Sequence, residues 1–194
     1  MKEIIFASKN EGKVKEVQHI LDGINAKIIS LNDVGFKDEI PETADTFEGN
    51  AIIKAEAVYN QFNLPTIADD SGIIAIQLSD EPGVYSARYA GENATDEENN
   101  KKLLERLKAF PEPHRGKFVC AAVYFFGGEF ITTKGEVEGR IIKKPRGTNG
   151  FGYDPLFLPD GFDKTTAELP SEIKNKISHR FKAFNELKKY LMEL

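Results

Sequence analysis

An α/β protein built on a mixed, twisted sheet flanked by helices is the fold class this sequence predicts, on three observations. Helical and strand periodicities interleave along the chain without strict βα alternation. Residues 117–126 form an almost unbroken apolar run, the pattern of a central strand covered on both faces. Gly127-Gly128 then permits a hairpin into 129–141. At 194 residues the chain fits one domain, 1–194, large enough to bury a hydrophobic core.

The elements follow in order. Residues 3–8 read as a short buried strand, and Asn10 can cap a helix because Val14, Val17, Ile20 and Leu21 fall on one helical face. A second strand is expected at 26–31. Asp45-Thr46-Phe47-Glu48 has the shape of a capping box, and Phe47, Ala51, Ala55, Val58 and Phe62 follow at helical spacing. After Pro65, the apolar runs 66–68 and 73–78 flank Asp69-Asp70-Ser71-Gly72, which suggests strand, tight turn, strand. Thr95-Asp96-Glu97-Glu98 is another capping box, opening a helix with Leu103, Leu104 and Leu107 on its buried side. A last helix is expected from near Ser178, with Phe181, Phe184, Leu187, Leu191 and Leu194 facing inward. No repeats, low-complexity tracts or linkers interrupt this order.

Composition narrows the function classes. The 40% apolar and 29% charged content is that of a globular protein, and 26 basic against 31 acidic residues leave a net charge of −5. Such a balance disfavours broad binding to nucleic acid, which needs a basic face. A small polyanion remains possible if a few cations converge on one pocket. The single cysteine, Cys120, sits in an apolar run and reads as a small buried hydrophobe. His19, His114 and His179 are scattered without zinc-ligand spacing. The opening Met1–Ala7 stretch is too short for a signal peptide and no apolar stretch approaches a membrane span, so a cytoplasmic protein is expected.

Four segments carry polar residues that packing would not have chosen. Ser8-Lys9-Asn10-Glu11-Gly12-Lys13 lies where a strand passes into a helix, whose free N–H groups and positive dipole end form a natural phosphate seat. Lys13 opposes that dipole, which a bound triphosphate would compensate; a capped helix start with solvated charges is the other reading. Lys54 falls on the apolar stripe of its helix. It either snorkels to water or borders a cleft that holds negative charge, which Glu42 could also reach. Adjacent Asp69 and Asp70 at the end of an apolar strand are costly unless hydrogen-bonded or bound to a cation. Neighbouring side chains of an extended chain point to opposite faces, so one carboxylate should face a site and the other brace the turn. An Asx-type turn is the competing explanation. In Pro145 to Pro155, three glycines around Phe151 and Tyr153 let a loop approach a flat ligand and offer an aromatic face, although such loops are also ordinary turns. Beyond it, Arg180 falls near the second position of a helix, again against the dipole.

In their order these segments closely resemble the inosine triphosphate pyrophosphatase family. The matching pieces are Ser8-Lys9-Asn10 with Lys13, Glu42-Thr43 leading to Thr46–Ala51 and Lys54-Ala55, and Ala68–Gly72. Pro82–Tyr89, Pro145–Pro155, Lys174-Asn175 and Ser178-His179-Arg180 complete them, so the resemblance spans residues 8 to 180. One departure stands out: the family often has glycine after Glu-Thr, where this chain has Ala44-Asp45. The resemblance implies an elongated fold with a cleft between two lobes, typically homodimeric. It implies hydrolysis of purine nucleoside triphosphates such as ITP, dITP and XTP to monophosphate and pyrophosphate. Ser8, Lys9, Asn10, Glu11, Gly12, Lys13 and Lys54 would hold the triphosphate, and Glu42 and Asp70 would bind Mg²⁺. Asp70 would also orient or deprotonate the attacking water, supported by Asp69, while Ser71 would touch substrate. Phe151 would stack on the purine beside Gly152, Tyr153 and Asp154, and Lys174, His179 and Arg180 would read the 6-oxo group.

Two rivals are set against this expectation. A Maf-like pyrophosphatase of modified pyrimidines would lack a reason for the Phe151–Asp154 and Ser178–Arg180 segments. A nucleotide sensor without turnover would not need Glu42, Asp70 and Lys13 together.

Overall fold

The computed structural model describes residues 2–193; Leu194, expected on the inner face of the last helix, lies outside them. The chain opens with strand β1 (Lys2–Phe6), whose last three residues are buried. Helix α1 (Glu11–Ile20) follows, capped as its sequence suggests: the Asn10 side chain accepts the Lys13 N–H, and Val14, Val17 and Ile20 are buried. Strand β2 (Ala26–Ser30) pairs parallel with β1. Helix α2 (Phe47–Phe62) buries Ala51, Ala55 and Val58. Its cap is Thr46, whose hydroxyl accepts the Gly49 N–H, one residue later than the Asp45-to-Glu48 box suggests. The helix ends at Asn63 in the left-handed conformation, φ 53°.

Strand β3 (Thr66–Ala75) corrects one expectation. No turn interrupts it at Asp69-Asp70-Ser71-Gly72; the backbone runs extended through all four residues. The polar break between two apolar runs suggests a turn, yet both carboxylates stay on the buried strand. They stay because cations from other elements meet them. Gly72 has a packing role instead: a Cβ there would lie 2.3 Å from Ser86 Oγ and 2.6 Å from the Gly83 carbonyl oxygen. Only glycine lets the Ser86 hydroxyl reach in to accept the Ile73 N–H at 2.9 Å.

Helix α3 (Asp96–Leu107) carries the full Thr95–Glu98 capping box and buries Leu103 and Leu107. Strands β4 (His114–Phe126) and β5 (Glu129–Ile141) form the expected hairpin, with Gly127 and Gly128 at φ 65° and 87°. The run from Phe118 to Val123 is buried throughout. A short strand β6 (Phe157–Pro159), which the sequence does not signal, pairs antiparallel with β5. The last helix, α5 (His179–Leu191), starts where expected, and a further short helix, α4 (Ser171–Ile177), precedes it across extended Ser178. No residue of α4 is buried, so it has no apolar stripe by which a sequence could announce it.

The six strands form one mixed sheet in the order β2-β1-β3-β4-β5-β6. The chain divides into two compact units, one of Met1–Asp70, Cys120–Gly135 and His179–Leu194, the other of Ser71–Val119 and Glu136–Ser178. In the first, Ile4 and Phe6 of β1 pack with Val14, Val17, Phe184 and Leu187, while Ile5 and Ala7 pack with Ala51, Ala55 and Val58. Side chains alternating along β1 therefore meet α1 and α5 on one face and α2 on the other. Phe6 and Phe184 meet edge to face at 5.8 Å. The second unit gathers Ile73, Leu103, Leu107, Phe118, Val137, Leu156 and Phe157 into its own core.

Candidate functional site

The connections around β1 decide where polar chemistry can sit in the first unit. From β1 the chain passes through α1 to β2; from β2 it passes through α2 to β3, on the other side of β1. Both pairings of β1 are parallel, and α1 and α2 cover opposite faces. Such a reversal opens a crevice beyond the carboxyl ends of the strands. A groove of about 500 Å³ lies there, lined among others by Ser8, Lys9, Asn10, Lys13, Glu42, Lys54 and Asp69.

Asp69 is 2% exposed and collects cations. Lys13 Nζ lies 3.3 Å from it, and Arg180 donates from Nε and Nη2, each at 3.2 Å. Arg180, itself 2% exposed, also donates to Glu16 at 2.8 Å. Burial pushes the Asp69 carboxyl upward, but Lys13, Arg180 and Lys54 outweigh it and hold the group well below the usual carboxylate range. The Cys120 thiol, fully buried beside it, is pushed far up by burial and by the Asp69 charge.

Asp70, next along β3, points to a different set. Lys54 Nζ donates to Asp70 at 2.9 Å and to Glu42 at 3.1 Å, so two carboxylates share one cation. Lys54 does not snorkel: its side chain is 12% exposed. Asn50, fully buried on the apolar stripe of α2, donates to Asp70 at 3.4 Å and accepts the Ala44 N–H at 2.9 Å. The second bond fixes the Ala44-Asp45 stretch that departs from the family's glycine. Burial raises the Asp70 carboxyl, with Lys54 opposing and Glu42 adding to the rise. Burial lowers the Lys54 ammonium, but Asp70, Asp69 and Glu42 more than compensate and it stays charged.

The remaining residues of the first segment sit around the groove. Lys9 Nζ lies 3.2 Å from the carbonyl oxygens of Lys37 and Asp38 and 5.6 Å from the Phe36 ring centroid. Ser8 Oγ accepts the Asn10 N–H, while Glu11 and Gly12 are exposed in the first turn of α1. His179 is half-buried at the start of α5.

In the second unit, Ser71 is half-buried on β3. Phe151 is 47% exposed, the tip of a loop fixed from below. Buried Asp154 accepts the Phe151 N–H at 2.9 Å and the Lys174 ammonium, whose Nζ lies 5.1 Å from the Phe151 ring centroid. Gly150 has φ 83°, and a Cβ there would sit 2.1 Å from Asp154 Oδ2. Tyr153 turns away into the core, with its hydroxyl donating to the Ser86 carbonyl at 2.8 Å. Half-buried Gly152 completes the loop.

Sequence reading missed Glu16 and Asn50. Glu16 carries a weak signal, lying one turn after Lys13 on α1; Asn50 carries a stronger one, a polar residue in the first turns of an apolar stripe. Among the described residues no three histidine, cysteine, aspartate or glutamate side chains cluster as a metal cage. Among the described residues no helix is long and apolar enough to cross a membrane.

Known proteins match this chain along its whole length. It is 51% identical over 193 residues to a dITP/XTP pyrophosphatase of Bacillus subtilis (strain 168), with 98% of each chain covered. A HAM1 protein from Coxiella burnetii superposes with a TM-score of 0.94 at 41% identity, all of both chains covered. The Ham1 protein of Staphylococcus aureus gives 0.90 at 42% identity over 99% of each chain. A model of the Ham1 family matches residues 4–190, and the chain belongs to that family.

Proposed function

We propose that this chain, acting as one pyrophosphatase domain over residues 1–194, hydrolyses ITP, dITP and XTP to the monophosphate and pyrophosphate and so cleanses the nucleotide pool. The observation that carries the reading is the pair Glu42 and Asp70 sharing the Lys54 ammonium at 3.1 and 2.9 Å, with Asp70 on the part of β3 that runs past the carboxyl end of β1. Relatives at about half identity named dITP/XTP pyrophosphatase support the substrate class. Enzymes of this family are in general metal-dependent.

The donor set fits Mg²⁺, which takes oxygen ligands and one or two carboxylates, with phosphate and water completing its shell. Glu42 and Asp70 are the proposed holders, and Lys54 marks the place where a cation is already welcome. When bound, the metal supplies charge neutralisation for the phosphates. Lys13 and Lys54, with the N–H groups of the Ser8–Lys13 segment, hold the triphosphate. Asp69 and Asp70 divide their roles by environment. Asp69 is locked ionised among cations and serves as a fixed anion. Burial makes Asp70 the stronger base, suited to orienting or deprotonating the attacking water.

In the second unit Phe151 is the proposed shelf for the purine, with Lys174 donating to the 6-oxo group and Ser71, Gly152, Tyr153 and Asp154 lining or bracing the pocket. In the first, His179 and Arg180 are further proposed donors; Arg180 is engaged by Asp69 and Glu16 in this structure. Adenine presents a donor where hypoxanthine and xanthine present an acceptor, so buried donors reject it. A cytoplasmic homodimer completes the proposal. Purified protein with dITP and Mg²⁺ is expected to release pyrophosphate, and chelation of the metal is expected to stop it. Release of orthophosphate would place cleavage at another bond.

A further inference from the structure

We infer that Asp96 and Asn100, one turn apart on α3, are positioning residues for Phe151: they hold the Phe151–Gly152 backbone so that the ring is ready to stack on a purine. The inference rests on the proposed base-stacking role of Phe151.

All four main-chain polar groups of Phe151 and Gly152 are bonded. The Phe151 N–H goes to Asp154 Oδ2 at 2.9 Å, and its carbonyl accepts the Asp154 N–H at 3.2 Å. The Gly152 N–H goes to Asp96 Oδ2 at 2.6 Å, and its carbonyl accepts from Asn100 Nδ2 at 3.0 Å. The first pair is local to the loop. The second crosses more than fifty residues of sequence and ties a left-handed glycine, φ 60°, to a rigid helix. An added Cβ at Gly152 would meet nothing within 4 Å, so no close approach of other side chains calls for a glycine here.

Neither helix residue is explained by α3 itself. Asn100 is 9% exposed and precedes Leu103, Leu104 and Leu107 by three, four and seven residues, so it lies on the buried stripe, where an apolar side chain would pack better. Its orientation is fixed, because only the amide NH₂ can donate to a carbonyl. Its Oδ1 is then buried without a partner among the described residues, a cost the helix bears in order to hold the loop. Asp96 suits the helix dipole, but the Thr95–Glu98 box already caps α3, and the dipole does not require a bond to Gly152. A shelf held in advance is not ordered at the expense of binding.

The test compares KM and kcat for dITP with the inhibition constant of inorganic tripolyphosphate, which has no base. Asp96→Ala and Asn100→Ala are each expected to raise KM for dITP about tenfold with kcat little changed, as loss of uniform binding does. Tripolyphosphate inhibition should not move. Asp96→Asn keeps an acceptor and should stay within about threefold of the parent, whereas Asn100→Asp offers no donor and should resemble Asn100→Ala. Phe151→Ala is the reference. If Phe151→Ala raises KM but Asp96→Ala and Asn100→Ala do not, the positioning role is wrong while the shelf stands. If Phe151→Ala leaves KM unchanged, the shelf itself is wrong. A parallel loss of tripolyphosphate binding in the α3 variants would show general loosening and overturn the inference. Should Asn100→Ala not fold, the exposed Asp96 pair of variants decides the matter alone.

Discussion

Asp70→Asn is expected to lower turnover about a thousandfold, the middle of the range for loss of a general base. Asparagine keeps the shape of the side chain and its contact with Asn50, but cannot take a proton and is a weaker ligand for a hard cation. The variant should nevertheless fold. Asp70 is buried enough that its charge is disfavoured, and removing that charge leaves Lys54 its second carboxylate, Glu42. A stability change within about 1 kcal/mol is therefore expected, the centre of the range for point substitutions. Circular dichroism and urea unfolding measure the second effect and pyrophosphate release the first. Activity near that of the parent would remove Asp70 from the chemistry.

Arg180→Ala is expected to act in the opposite sense, chiefly on stability. It deletes two donors from Asp69 and one from Glu16, leaving Asp69 at 2% exposure with a longer contact to Lys13. Breaking a buried ion pair from one side costs about 3–5 kcal/mol because the remaining charge loses much of its compensation. The shift in urea midpoint at constant slope reads this directly. Adding Asp69→Asn to Arg180→Ala should recover part of the loss, since the undercompensated charge is gone; the two substitutions are in contact and must not add. A loss below about 1 kcal/mol, or simple additivity, would contradict the pairing.

The legible parts of this fold are those that physics writes locally. Asn10 and Thr95 cap helices with their own neighbours, and the Gly127-Gly128 turn sets its hairpin with two residues. What failed was local reasoning applied to long-range charge. Asp69-Asp70-Ser71-Gly72 looked like a turn because it is a polar break between two apolar runs, and the cations that let the two carboxylates stay on a strand, Lys13, Lys54 and Arg180, lie 56, 16 and 111 residues away. The same three cations break helix rules in the sequence, so the anomaly was visible even though its resolution was not. Each was found against a protein carboxylate, which makes the groove a preassembled charge network rather than a bare seat awaiting phosphate. Helix α4 and strand β6 were missed for a simpler reason: α4 buries nothing, and β6 is three residues long. Asp96 was hidden because an acid in the first turn of a helix looks ordinary.

The central claim is selective hydrolysis of purine triphosphates that do not belong in the nucleotide pool. Its most direct test is pyrophosphate release from ITP, dITP, XTP, ATP and GTP, measured side by side at equal concentration with Mg²⁺. The first three are expected to outpace ATP by about a hundredfold or more, the discrimination that a site with buried donors can supply, and also to outpace GTP, whose guanine keeps the 6-oxo acceptor and differs at its 2-amino group. Equal rates across all five would contradict the claim.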